Sequence, residues 1–460
     1  MRAKPLTALT RFGLGPRPGD IAAAEADPVE FVRAQCFRPE AAILTDPDLK
    51  TFDEVRDLYI EVQTPLMMAR RAASEEGASE AEQTALKTAA VARRDVIREI
   101  GHGEIAARFR NGVETADPFV ERLVLFWSNH FAIDRRRMVA LRFVTGHFER
   151  EAIRPNVLGF FADMLTAAVT HPAMLMYLDN HTSVGPNSRA GRRHDRGMNE
   201  NLAREVLELH TLGARGGYTQ ADVVALAETL TGWHGGMNPR RHVQSFFPQR
   251  HEPGPRTILG ETYPPEGAEQ IFTVLEDLAV HPSTARHLAG KFARHFVGDD
   301  APEALVEALA DRYLVSGGDL RALAMALVES DVAWAGEPQK TVPPYDFMVA
   351  TGRALGVRQL PGHFVERATR DLAQEIWAPP SPAGWPDSDG AFLGGDSLLE
   401  RIDYAKVMAQ RFSAVGDVRE RAEALFGGHL DPFVEEAVAR AQDPIQAMVL
   451  LVMSPAFQRR

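Results

Sequence analysis

The sequence predicts a mainly α protein: a large multi-helix, bundle-like array with long loops and at most one small β-hairpin. Apolar residues recur at helical spacing through most of the 460 residues, and Pro, Asp, Ser or Thr repeatedly stands where a helix would begin. Strand-like patterning is confined to one place, where His242–Phe247 is expected to pair with Thr257–Leu259.

Thr10-Arg11-Phe12-Gly13-Leu14-Gly15-Pro16-Arg17-Pro18-Gly19 is rich in turn residues, and an amphipathic helix pattern runs from Ile21 to Gln35. No strand precedes these glycines and no GK[ST] follows, so they read as a tight N-terminal loop, not a phosphate cradle. Phe52–Phe109 is dense in Ala, Glu, Arg and Leu, which predicts two long helices joined near Glu75–Ser79 as an antiparallel hairpin. Shorter helices are expected over Pro118–Phe131, Val139–Ile153, Asn156–Val169 and Pro172–Leu178. His181–Gly197, crowded with Gly, Pro, Ser, Asn, Arg and His, predicts a long exposed loop. Further helices follow over Gly267–Val280, Pro282–Phe296, Pro302–Val315, Leu320–Ser330, Tyr345–Leu355 and His363–Glu375, with three or four more from Ser397 to Phe457. Between them, Ala378–Gly395 around Trp385 is a second large loop.

A net charge of −12 and a pI near 5.7 argue against a general nucleic-acid surface, which needs clustered cations to displace counterions. Arg135-Arg136-Arg137, Arg192-Arg193 and Arg240-Arg241 read as solvated or ion-paired. Cys36 stands alone, which excludes an intramolecular disulfide or a thiolate-rich metal site, and a buried small hydrophobe is its default role. No apolar run approaches a membrane span, and the N-terminus carries no export pattern, so the chain as written reads as cytoplasmic.

The most unusual helix pattern is Met198–Gly213, closed by Gly213. At 100° per residue Asn201, Glu205 and Glu208 share one face beside Arg204, while His210 and Asn199 fall within the opposite arc of Leu202, Val206 and Leu209. The polar face offers oxygen ligands for Ca²⁺ or Mg²⁺, or a carboxylate pair for acid–base work; a solvated face with an Arg204–Glu208 ion pair is the plainer alternative. Polar residues on both sides fit a helix buried all round. Thr219 and Asp222 form a capping-box start for the next helix, and Trp233 reads as core or pocket wall.

Asn199-Glu200-Asn201-x-x-Arg204-Glu205-x-x-Glu208-Leu209-His210-Thr211-Leu212-Gly213, followed by Gly217-Tyr218-Thr219-Gln220-x-Asp222-Val223 and Thr231-Gly232-Trp233, resembles the signature of the domain of unknown function 1800 family. Arg11–Gly15, Trp127-Ser128-Asn129-His130-Phe131, His171–Asn180, His281-Pro282 and Pro380-Ser381-Pro382-x-Gly384-Trp385 are similar to the family as well. The resemblance implies a single family domain over 1–460, subdivided as 1–115 with the helical hairpin, 116–265 with the signature and 266–460. It implies bacterial membership and, for many members, export beside sulfatase-like partners, but no established reaction. Glu252 follows His251 where the family pattern has Asp.

What the resemblance retains suggests a buried polar site. In the enzyme reading, a hydrolase-like site uses Glu205, Glu208 and His251 as catalytic groups. His130, His171, Asp179, Asn199, Glu200, Asn201 and His210 are then candidate ligands for a divalent metal, Ca²⁺ or Mg²⁺ through oxygens or Zn²⁺ through histidines. In the alternative, the polar cluster braces the loops His181–Gly197 and Ala378–Gly395 into a surface for a protein partner or polymeric substrate.

Overall fold

The computed structural model describes residues 3–74, 79–194, 197–237, 244–412 and 417–460. Its architecture is mainly α, with two short antiparallel ribbons as the sheet structure among these residues. The junction 75–78, Arg240-Arg241 and His242 lie outside the described residues.

The long hairpin forms as expected from Phe52–Ala73 and the 35-residue Glu80–Glu114 helix, which spans about 52 Å at 1.5 Å per residue. Both helices start on capping boxes, Thr51 with Glu54 and Ser79 with Glu82, so donors of the first turn are satisfied locally. In the second helix buried residues begin only at Ile100 and continue through Ile105, Phe109 and Val113, so its last turns enter the core and its first half stands clear.

The Pro118–His130 helix runs through the centre of the molecule, with Phe119, Val120, Leu123, Val124, Phe126 and Trp127 buried. Phe12, Phe119, Phe296 and Trp334 meet there, with Phe12 4.6 Å from Trp334 and 5.8 Å from Phe119 between ring centroids. One contiguous cluster of buried apolar side chains extends from Leu6 to Phe457. Several charged groups cross this interior as ion pairs. Arg154 bonds both oxygens of Glu121 at 2.8 Å and Glu149 at 2.9 Å, and Arg108 bonds Glu149 at 2.8 Å.

The N-terminal glycine loop is structural: the Gly13 carbonyl accepts from Arg122 and the Gly15 carbonyl from Arg353, two buried arginines. The single Ile21–Gln35 helix is replaced by Asp20–Glu25 and Pro28–Arg33, because Asp27 caps the second with its side chain on the Glu30 amide and Pro28 restarts the chain. Val139–Ile153 narrows to Leu141–Phe148 followed by a π turn, and the next helix begins at Phe161. Gln244–Phe246 pairs with Trp233–Gly235, while Arg256–Ile258 pairs with Glu261–Tyr263 across a tight turn. The expected partnership of 242–247 with 257–259 is thus corrected: each segment finds an adjacent strand that costs less chain to close.

His181–Gly197 is less exposed than its composition predicts. Ser183, Val184 and Ser188 are buried, and the segment hangs on 249–252 through Gly185 N to Arg250 O and Ala190 N to Gln249 O, both 2.8 Å. Ala378–Gly394 does form an irregular loop ahead of the Gly395–Arg411 helix.

Candidate functional site

The signature segment is shorter and less regular than one continuous helix. Asn201–Glu205 is α-helical and Val206–His210 is a π turn, continued by the Thr211 hydroxyl donating to the Val206 carbonyl at 2.7 Å. The wider turn breaks the 100° count, so His210 swings fully inward. Asn199 lies before the helix and accepts from the Asn201 amide at 2.9 Å. Asn201 is exposed and Glu205 and Glu208 are half-buried, which corrects the expectation of a helix buried all round. Arg204 pairs with Glu200 at 2.8 Å in place of Glu208, and Gln220 donates to the same Glu200 oxygen. Burial and then the neighbouring Glu208 charge raise the Glu205 carboxyl; Tyr218 donates to Glu208 at 3.5 Å.

The other candidates are dispersed into local roles. His171 caps its own helix through the Ala173 amide at 3.1 Å and faces Glu151 at 3.3 Å. Asp179, in left-handed backbone geometry, pairs with Arg137, and Asn180 donates to the carbonyls of Leu230 and Trp233. His251 bonds the Thr231 carbonyl at 2.8 Å. The buried Glu252 takes the Asn187 amide and side chain at 2.8 and 2.7 Å, so this carboxylate fastens the 181–197 segment. Among the described residues no group of three or more His, Cys, Asp or Glu is placed to hold a metal ion. Most members of the expected ligand set are engaged instead in capping, pairing or bracing contacts.

Two candidates do meet, His130 and His210, with ring centroids 6.0 Å apart. His130 Nε2 lies 3.1 Å from the His210 carbonyl oxygen, which can only accept, so Nε2 carries the hydrogen. Nδ1 is then a lone pair, and it accepts from Lys291 Nζ at 3.0 Å. Burial, reinforced by Lys291, pushes His130 well below its usual value and keeps the ring neutral. Burial also lowers Lys291 to about 8, with Asp387 partly opposing the shift. His210 is lowered to about 3 and His287 to about 4, again first by burial and then by Lys291.

Lys291 and His130 line a cavity of about 470 Å³ bounded by the Pro118–His130 and Pro282–Phe296 helices and the loop 379–387. Trp377, Trp385, Phe126 and several prolines supply its apolar wall. One turn beyond Lys291, His295 also lines it, with Nδ1 2.9 Å from Asp387 Oδ2. Burial alone would raise the Asp387 carboxyl, but His295 and Lys340 outweigh it and hold the group well below the usual carboxylate range. His295 Nε2 and the Tyr345 hydroxyl are enclosed without a hydrogen-bond partner among the described residues, and both residues line the same cavity. Other charges of the wall are neutralised: Arg108 by Glu149, Asp346 by Arg122, Glu375 by Arg370.

Asn129 fastens the middle of the loop, in addition to the contacts of His295 and Lys340 with Asp387. Asn129 donates to the Trp385 carbonyl at 3.0 Å and accepts from its amide at 2.7 Å, as an adjacent strand would. Gly384, at φ +87°, lies against Asn129 so closely that a Cβ would strike its backbone oxygen.

Of the sequence candidates, His130 alone lines this cavity; Lys291, His295, Tyr345 and Asp387 were missed. A signal existed, since Lys291 and His295 stand at helical spacing among the buried Leu288, Phe292 and Phe296, where a solvated face would not place them. The segments that build the cavity, Trp127–Phe131 and Pro380–Trp385, are among those that carry the family likeness. No curated protein and no solved structure matches the chain. The family described as "Protein of unknown function (DUF1800)" matches residues 7–459, nearly the whole length, and the chain belongs to it.

Proposed function

We propose that the protein is an enzyme whose reaction takes place in the 470 Å³ cavity, on a small molecule or the end of a longer chain. Lys291 contacts the substrate at its reacting centre through Nζ, and the Asp387–His295 pair supplies acid–base function. The observation that carries this reading is the convergence on one cavity of a lysine bonded only to an imidazole lone pair, a histidine oriented by a carboxylate, and an unpaired phenol, among the described residues. Unmet hydrogen-bonding capacity costs stability, and a ligand in the cavity that met His295 Nε2 and the Tyr345 hydroxyl would recover it. The Ala378–Gly394 loop walls this cavity, which favours catalysis over a braced docking surface. The hydrolase-like reading is kept in this form, with the site moved from the signature helix to the cavity and with no step assigned to a metal.

A fragment screen by thermal shift tests it. Fragments that stabilise the native protein by mass action are expected to lose their effect in Lys291→Met and keep it in Glu205→Gln. The reverse pattern would return the site to the signature helix. Lys291→Met should fold, since replacing a half-buried ammonium by an apolar chain of similar length leaves no carboxylate unpaired.

A further inference from the structure

We propose that Lys291 is a carbonyl-reactive amine, and that the cavity takes an aldehyde or ketone which it holds as an imine. This rests on the cavity being the substrate site, and it names the substrate class.

The geometry around Nζ separates this lysine from an ordinary buried cation. Its hydrogen-bond partner among the described residues is His130 Nδ1, which has no charge to stabilise an ammonium, and His130 is locked in that tautomer by the His210 carbonyl. The flanking imidazoles of His210 and His287 are held neutral by the same enclosure. The nearby carboxylate, Asp387, is taken by His295 at 2.9 Å and Lys340 at 3.0 Å. Lys340 is the internal contrast: more deeply buried, it is bonded to the Arg294 and Asp387 carbonyls and paired with the Asp387 carboxylate. Among the described residues nothing comparable holds a proton on Lys291, and its lowered basicity fits that arrangement.

The chemistry closes without a further reagent. The nitrogen lone pair attacks the carbonyl carbon, the C–N bond forms as the C=O π pair moves to oxygen, and a proton passes from nitrogen to that oxygen. Loss of water from the carbinolamine then leaves C=N. His130 Nδ1 accepts one N–H of the amine, which leaves the nitrogen lone pair unengaged by that contact.

The test is reductive labelling of the native protein with benzaldehyde and sodium cyanoborohydride, the hydride trapping any imine as a secondary amine, followed by peptide mapping. The other lysines are Lys4, Lys50, Lys87, Lys340 and Lys406, few enough to follow separately. At pH 7 Lys291 is expected to label faster than the exposed Lys4, Lys87 and Lys406 by on the order of tenfold, because far more of it is neutral. Lys340 should stay unlabelled. Labelling of Lys291 at or below the rate of the exposed lysines overturns the proposal. If fragments still stabilise the protein through the cavity in that case, the carbonyl assignment falls alone; if they do not, the cavity reading falls with it.

Discussion

The buried histidines are the most informative residues of the molecule. His210 has neither ring nitrogen bonded among the described residues, and enclosure lowers it to about 3, with His287 and His147 at about 4. In the unfolded chain each returns to its usual 6.5 and binds a proton that the folded state refuses. Below about pH 6.5, down to about 3 for His210 and about 4 for His287 and His147, the unfolded state therefore holds more protons, and stability falls as pH falls, by about 1.4 kcal/mol per pH unit for each such histidine. Urea unfolding across pH 7.5 to 5 is expected to show this slope, reduced in His210→Phe by that amount. A pH-independent difference between the two proteins over this range would contradict the assignment. Glu149 acts in the same direction at lower pH: burial would raise it, but Arg108 and Arg154 hold it near 2, so its contribution is lost only below its unfolded value.

At the scale of elements, the site is made by the contact between a helix end and an irregular loop. Asn129, near the C-terminus of the Pro118–His130 helix, holds Trp385 by two backbone bonds, and Gly384 permits the approach. Gly384→Ala forces a side chain into left-handed geometry and against Asn129, which predicts a loss of about 1–3 kcal/mol. More telling, fragments should lose binding to this variant even where it remains folded, because the loop forms a wall of the cavity. Fragment affinity unchanged from native would show that the loop does not shape the site. The signature helix teaches a related lesson. The capping box of the helix that follows it, Thr219 with Asp222, follows from residue types alone, whereas the π turn at Val206–His210 that rotates His210 inward has no comparable mark in the sequence.

At the scale of the whole molecule, one apolar cluster joins residues that are hundreds of positions apart. The Pro118–His130 helix packs on Phe12 from the N-terminal region and on Phe292 and Phe296 from the C-terminal region. The subdivision 1–115, 116–265 and 266–460 is therefore proposed as a description of chain order, not of independent folding units. Residues 116–265 expressed alone should show no cooperative thermal transition by near-ultraviolet circular dichroism, since their central helix would expose both flanks. A sharp transition in that fragment would make it a domain.

What the sequence by itself determined is what depends on near neighbours. Helical periodicity, proline and aspartate at helix starts, the Thr219–Asp222 capping box and the irregularity of Ala378–Gly394 all arise within a few residues, and each was legible there. Only the tertiary structure decided which polar residues share a space. His171 and Asp179 looked like ligands and His251 like a catalytic group, yet each is engaged in a contact of its own; Lys291, His295 and Asp387 looked like members of ordinary helices and loops. The reason is physical: whether a charged group is neutralised, solvated or left facing a cavity depends on partners about 90 to 160 positions away, as between His130 and Lys291 or His295 and Asp387.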